Sequence, residues 1–134
     1  MPHLVILYTP NIEADADMPG LCRRLADTML AARDSDHKPV FPVGGVRVLA
    51  YAAAHAAVAD GSGDHGFIYF NLRMARGRAP AVHQAVGQAL TEAARTHLAL
   101  LLAQRHLGLT LQIDEGAEVF DAKFGNLHPL FNKA

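Results

Sequence analysis

Gly66-Phe67-Ile68-Tyr69-Phe70-Asn71-Leu72-Arg73-Met74 alternates in character over nine positions, and Ala75-Arg76-Gly77-Arg78-Ala79-Pro80 follows it with turn chemistry. Successive strand side chains point to opposite faces, so Ile68, Phe70, Leu72 and Met74 share one face and Phe67, Tyr69, Asn71 and Arg73 the other. Downstream, Val82, Val86, Leu90, Ala94, Leu98 and Leu102 step by four, which predicts a long helix opening near Pro80 with one stripe against the sheet. That helix is expected to end near Gly108, where Leu109-Thr110-Leu111-Gln112-Ile113 reads as a further strand. Strand, helix, strand is one β-α-β unit.

The preceding half repeats the order. Leu4 to Tyr8 has a strand's length and content, closed by the turn residues Thr9-Pro10-Asn11. Asp17 is placed to cap a helix on which Leu21, Cys22, Leu25, Ala26, Met29 and Leu30 recur at helical spacing. Asp34 to Pro42 reads as a loop leading through Gly44-Gly45 into a strand over Val46 to Tyr51 that carries Arg47 among apolar neighbours. A guanidinium there must reach solvent or an anionic partner. Ala52 to Ala59 is nearly all alanine and predicts a short helical segment, broken by Asp60-Gly61-Ser62-Gly63-Asp64. Asp114 to Ala134 is a tail with weaker signals.

Two β-α-β units with parallel strands and right-handed crossovers give an α/β (α+β) two-layer sandwich, β-α-β-β-α-β, in one domain spanning residues 1–134. The sheet face carrying Phe67 and Tyr69 needs cover, for which further copies of so small a chain are the obvious source.

The composition, 51% hydrophobic with a net charge of −1, is that of a soluble protein without general attraction to nucleic acid. No apolar stretch approaches the ~20 residues of a membrane span. Pro2-His3 leads into only a strand's length of apolar residues, unlike a signal peptide, and the single cysteine, Cys22, suits a reducing compartment, so a cytoplasmic location is expected. Cys22 falls at an apolar helical position and reads as packing. Arginine outnumbers lysine nine to three, and Arg73, Arg76 and Arg78 cluster without an acidic residue between them. Such a cluster suits a small carboxylate or phosphate ligand, or equally a solvated loop. Arg78 just ahead of a long helix adds the free N–H groups of the helix start.

His83, His97 and His106 are read on the long helix at spacings that make no ligand pair, so no metal site is expected, and no dinucleotide, Walker or nucleophile-elbow motif is present. Pro2 stands directly behind Met1 and ahead of an apolar strand. Removal of Met1 would turn the Pro2 nitrogen from an amide into a free secondary amine, a base held by that strand. Met-Pro also reads as a merely stiff start.

Several separated segments in order carry a resemblance: Met1-Pro2-His3, Ala16-Asp17-Met18-Pro19-Gly20-Leu21, Phe41-Pro42-Val43-Gly44-Gly45-Val46-Arg47, Ala59-Asp60-Gly61, Gly77-Arg78 and Asn126-Leu127-His128-Pro129-Leu130-Phe131. With them the chain resembles the tautomerase superfamily, and within it the 5-carboxymethyl-2-hydroxymuconate isomerase family of aromatic-acid catabolism. The resemblance implies a homotrimer without metal or organic cofactor, in which Pro2 is the catalytic base and Arg47 and Arg78 bind a carboxylate substrate. Arg73 and Arg76 match no family residue that can be named and stand open as helpers or surface charge. The loop from Asp34 to Val40 is longer than the family's, and Ala50 to Ala59 replaces bulkier side chains.

A terminal amine titrates near ~8, and an apolar pocket with neighbouring guanidiniums would lower that toward neutrality, where a base both takes and returns protons. Pro2 would then take a proton from a 2-hydroxy dienol and return it to a carbon further along the conjugated chain, giving the unsaturated ketone, with Arg47 and Arg78 holding carboxylates and stabilising the dienolate. Two alternatives stand beside this: a related proline-dependent decarboxylase or hydratase, and a non-enzymatic oligomeric module that binds an organic anion.

Overall fold

A computed structural model describes residues 2–131. In chain order the elements are β1 (His3–Tyr8), a 3-10 turn (Pro10–Ile12), α1 (Glu13–Ala16), α2 (Met18–Ala31), a 3-10 turn (Val43–Gly45), β2 (Arg47–Ala52), β3 (Gly66–Met74), α3 (Pro80–His97), α4 (Ala99–Gln104), β4 (Leu107–Glu115) and a 3-10 turn (His128–Leu130). The four strands form one mixed sheet in the order β2-β1-β3-β4. β1 runs parallel to β2 and β3 parallel to β4, while β1 and β3 meet antiparallel at the centre. Two β-α-β units thus lie side by side, as the sequence predicts, with their helices on one face.

That face holds the core. Leu4, Ile6, Ile68, Phe70 and Leu72 of the sheet pack with Leu21, Leu25 and Met29 of α2 and Val86, Leu90 and Ala94 of α3, nearly all fully buried. Burial of one such side chain is worth ~1.5–3 kcal/mol. A surface pair such as Arg23–Asp27, both side chains about two-thirds exposed, adds roughly 0.3–0.5 kcal/mol. Layer packing, not ion pairing, therefore holds the molecule together.

The alternation predicted over Gly66–Met74 is observed, with Ile68, Phe70, Leu72 and Met74 buried. The opposite face is open. It exposes Leu7, Leu49, Tyr51 and Phe67 on its apolar half. Toward β4 it carries two cross-strand bonds, Tyr69 Oη to Gln112 Oε1 at 2.8 Å and Asn71 Nδ2 to Asp114 Oδ2 at 2.8 Å.

Three expectations are corrected. Ala52 to Ala59 is not helical: Ala52 ends β2, Ala53 N donates to the Tyr8 carbonyl at 2.8 Å, and Ala59 adopts φ 54°. Eight mostly exposed residues have too little apolar area to offset helix nucleation, whatever their propensity. The second long helix breaks at Leu98, resumes as α4 and stops at Gln104, so His106 lies outside it. A row stepping by four precesses about 40° per step on a 3.6-residue helix, and after the break Leu101 joins Leu98 in the core. β4 is consequently longer than expected, beginning at Leu107 and reaching Glu115.

Asp17 governs the start of α2. It sits in the left-handed region at φ 48°, and its Oδ1 accepts from Gly20 N at 3.1 Å. A Cβ on Gly20 would come within 2.2 Å of the Asp17 carboxylate, so the glycine leaves room for the cap. The backbone carbonyls of Ala16 and Asp17 lie 3.0 Å from His97 Nε2, tying the end of α3 to this junction. At the foot of β1, Tyr8 donates to the Glu13 carboxylate, which with burial pushes the phenol up to about 12. Among the described residues, no helix is long and apolar enough to cross a membrane.

Replacing Asp17 by Ala removes the cap and leaves a side chain poorly suited to positive φ. Urea denaturation should show a loss of about 1–2 kcal/mol, with Asp17→Asn retaining most of the stability.

Candidate active site

One end of the sheet collects the residues singled out from the sequence. There β1 and β2 begin and β3 finishes, because β1 is parallel to β2 and antiparallel to β3. In register His3 pairs with Arg47 on one side and Arg73 on the other, and Arg73 pairs in turn with Asp114. Arg47, His3, Arg73 and Asp114 therefore form one row across four strands, all on the open face. Pro2 immediately precedes that row and is buried. By the alternation that turns Leu4 and Ile6 toward the helices, its ring falls on the helical side.

The arginines differ in their anchoring. Arg47 is half-buried and donates from Nη1 to the Gly45 carbonyl at 3.1 Å. Arg78, also half-buried between β3 and α3, donates to the Val40 carbonyl at 2.8 Å and the Ala75 carbonyl at 3.2 Å. Its guanidinium carbon stands 5.3 Å from the centroid of the Phe41 ring. Such a side chain is held in place before any ligand arrives. Arg76 donates to the Gly116 carbonyl at 2.6 Å and pins the β3–α3 turn to the start of the tail. Arg73 instead pairs with Glu118 at 3.1 Å, both side chains about half exposed.

A cavity of about 290 Å³ opens beside the row, walled by His3, Arg73 and Ala75 on the sheet side and by Glu118, Asp121 and Lys123 of the tail. A larger cleft, about 960 Å³, lies along α3 and β4, away from this row; Pro2, Arg47 and Arg78 line neither cavity. The tail residues were not legible as site components, since no local pattern marks which element an irregular segment folds against. Phe41 beneath Arg78 was likewise hidden, although the Phe41-Pro42 segment carried part of the family resemblance. Two other segments of that resemblance meet: a Cβ on Gly44 would lie 3.0 Å from His128 Nδ1 and 3.2 Å from the Phe131 ring. Among the described residues, no group of three or more His, Cys, Asp or Glu is placed to hold a metal ion.

Residues 2–131 match the family model described as 5-carboxymethyl-2-hydroxymuconate isomerase. The chain belongs to this family. It is 31% identical over 131 residues to the 5-carboxymethyl-2-hydroxymuconate Delta-isomerase of Escherichia coli, covering 98% of this chain and 99% of that one. A crystal structure of a 5-carboxymethyl-2-hydroxymuconate delta-isomerase superposes with a TM-score of 0.96 at 58% identity, covering 100% of this chain and 95% of the other. A 5-carboxymethyl-2-hydroxymuconate isomerase from Deinococcus radiodurans R1 gives a TM-score of 0.86 at 34% identity, covering 98% and 95%. Family membership therefore extends over the whole described fold, from Pro2 to the tail turn at His128–Leu130.

The electrostatics of this end register on His3. Partial burial first, then the Arg47 and Arg73 guanidiniums, hold its imidazole below 6.5, with Asp121 pulling the other way. The folded state favours neutral His3, so its contribution to stability is intact above 6.5 and is lost as the pH falls below that value. Titration of the His3 ring protons by NMR should give a midpoint below 6.5, and Arg47→Gln should move it upward.

Proposed function

We propose that the protein is a cofactor-independent isomerase that converts 5-carboxymethyl-2-hydroxymuconate, or a closely similar dienol di- or tricarboxylate, to the unsaturated ketone. It uses Pro2 as proton shuttle. The observation that carries this reading is the family match beginning at Pro2 and running through Arg47 and Arg78, residues that the topology brings to one end of the sheet.

With Met1 removed, the Pro2 nitrogen is a secondary amine in a cationic, partly apolar setting that favours its neutral, basic form. It takes the proton of the 2-hydroxyl, the oxygen's electron pair becomes the ketone, and the proton returns to carbon at the far end of the diene. Arg47 and Arg78 hold the substrate's carboxylates and stabilise charge on the dienolate oxygen. Arg78 suits this because its carbonyl and Phe41 contacts fix its aim. The working form is a cytoplasmic homotrimer. The exposed Leu7, Leu49, Tyr51 and Phe67 of the open face are the surface that neighbouring subunits cover, and Arg47 lies on that same face, so a site shared between subunits follows.

Intact mass of the purified protein should lack the initiator methionine, and the ultraviolet absorbance of the dienol should decay enzymatically. Pro2→Ala should lower kcat by about 10²-fold, and Arg47→Gln or Arg78→Gln should lower kcat/KM by roughly 10²-fold each. A fully processed protein without turnover would instead favour an anion-binding module.

A further inference from the structure

The family's named substrate carries three carboxylates, two on the muconate chain and one on the carboxymethyl arm, whereas the two assigned guanidiniums answer only two. Each remaining carboxylate brought out of water needs a cation or several donors. The row at the sheet end holds a third guanidinium. Arg73 is the register partner of His3 on the side opposite Arg47, and adjacent strands lie about 4.8 Å apart.

The cavity beside Arg73 is lined by the chain neighbour of Pro2 and by a hydrogen-bond partner of Arg78. One wall is His3, next to Pro2, and another is Ala75, whose carbonyl receives Arg78 Nη1 at 3.2 Å. Its cations are Arg73 and Lys123. Its carboxylates are Glu118, 3.1 Å from Arg73, and Asp121, paired with Lys123. Both partners of the Arg73–Glu118 pair are about half exposed, at 50% and 45%, and an ion pair so solvated is weak. Glu118 lies on a tail tied down at Gly116, whose N–H meets the Met74 carbonyl at 2.9 Å, while Val119 and Phe120 beyond it stand in solvent. An internal carboxylate thus already sits where a ligand carboxylate fits, on an exposed segment.

Resting on the isomerase reading above, we propose that Arg73, with Lys123 beside it, binds the carboxymethyl carboxylate of the substrate in this cavity, with Glu118 as the internal group it displaces. Arg73 is then a specificity residue. It distinguishes a tricarboxylate from 2-hydroxymuconate, which has the same reacting diene and no third arm.

The test compares kcat and KM for both dienols with wild-type, Arg73→Gln, Arg73→Lys and Glu118→Gln proteins, each checked by intact mass for loss of the initiator methionine and for unchanged assembly state and thermal midpoint. For Arg73→Gln the tricarboxylate's kcat/KM should fall about 10- to 100-fold further than that of 2-hydroxymuconate, mainly through KM, with partial rescue by Arg73→Lys. Glu118→Gln should act in the opposite direction, lowering KM for the tricarboxylate about two- to fivefold. Equal losses on both substrates, or Glu118→Gln and Arg73→Gln moving KM together, would show that the pair only supports the fold and would overturn the proposal. Absence of wild-type turnover on either dienol would instead sink the isomerase reading itself, and the carboxylate assignment with it.

Discussion

The antiparallel pairing of β1 with β3 is the constraint on which the rest depends. Each β-α-β unit alone makes only a two-stranded parallel pair, too little sheet to cover a helix. Joining the units through their first strands closes a four-stranded sheet and one core beneath both helices. Because that junction is antiparallel, the beginning of one unit's leading strand lies against the end of the other's. His3 and Arg73, seventy residues apart in the chain, become neighbours for this reason alone. Parallel pairing at the same position would carry the guanidiniums of the two halves to opposite ends of the sheet.

The guanidiniums at this end of the sheet are each turned to a different partner. Arg47 turns to a carbonyl, Arg76 to another, Arg78 to two carbonyls and an aromatic face, and Arg73 to a carboxylate. Arg76 and Arg78 are thus held by neutral backbone oxygens, which fix the side chains without cancelling their charge. His3, lowered first by burial, also feels the guanidiniums of Arg47 and Arg73. A site that must attract an acidic ligand gains from this, whereas full pairing with Asp or Glu would neutralise it in advance.

Regular packing was legible in the sequence; irregular packing was not. Gly66–Met74 and the α2 face over Leu21 to Met29 follow their periodicities because the buried face of each meets a layer that extends along its whole length. The alanines from Ala52 to Ala59 mislead because intrinsic propensity there is not reinforced by burial in the core, and a backbone bond to Tyr8 competes. The break at Leu98 and early start of β4 arise from the geometry of crossing the sheet, which a step-of-four pattern does not encode. For the site, Pro2, Arg47 and Arg78 could be singled out because chain position, an apolar setting and a helix start each mark one of them. Glu118 and Lys123 sit in a stretch without period or motif, and only the fold brings them to Arg73.

Gly44 gives the tail a significance beyond its loose appearance. The turn at residues 43–45 leads through Val46 into Arg47, and the turn at His128–Leu130 is seated against it so closely that a methyl group at Gly44 would push it back by a few tenths of an ångström. The turn at His128–Leu130 thereby acts as a gauge block behind the second strand: thicken the contact, and the launch angle of that strand changes. Sequence drift far from the chemistry is in this way mechanically linked to the aim of a guanidinium, through contact rather than charge.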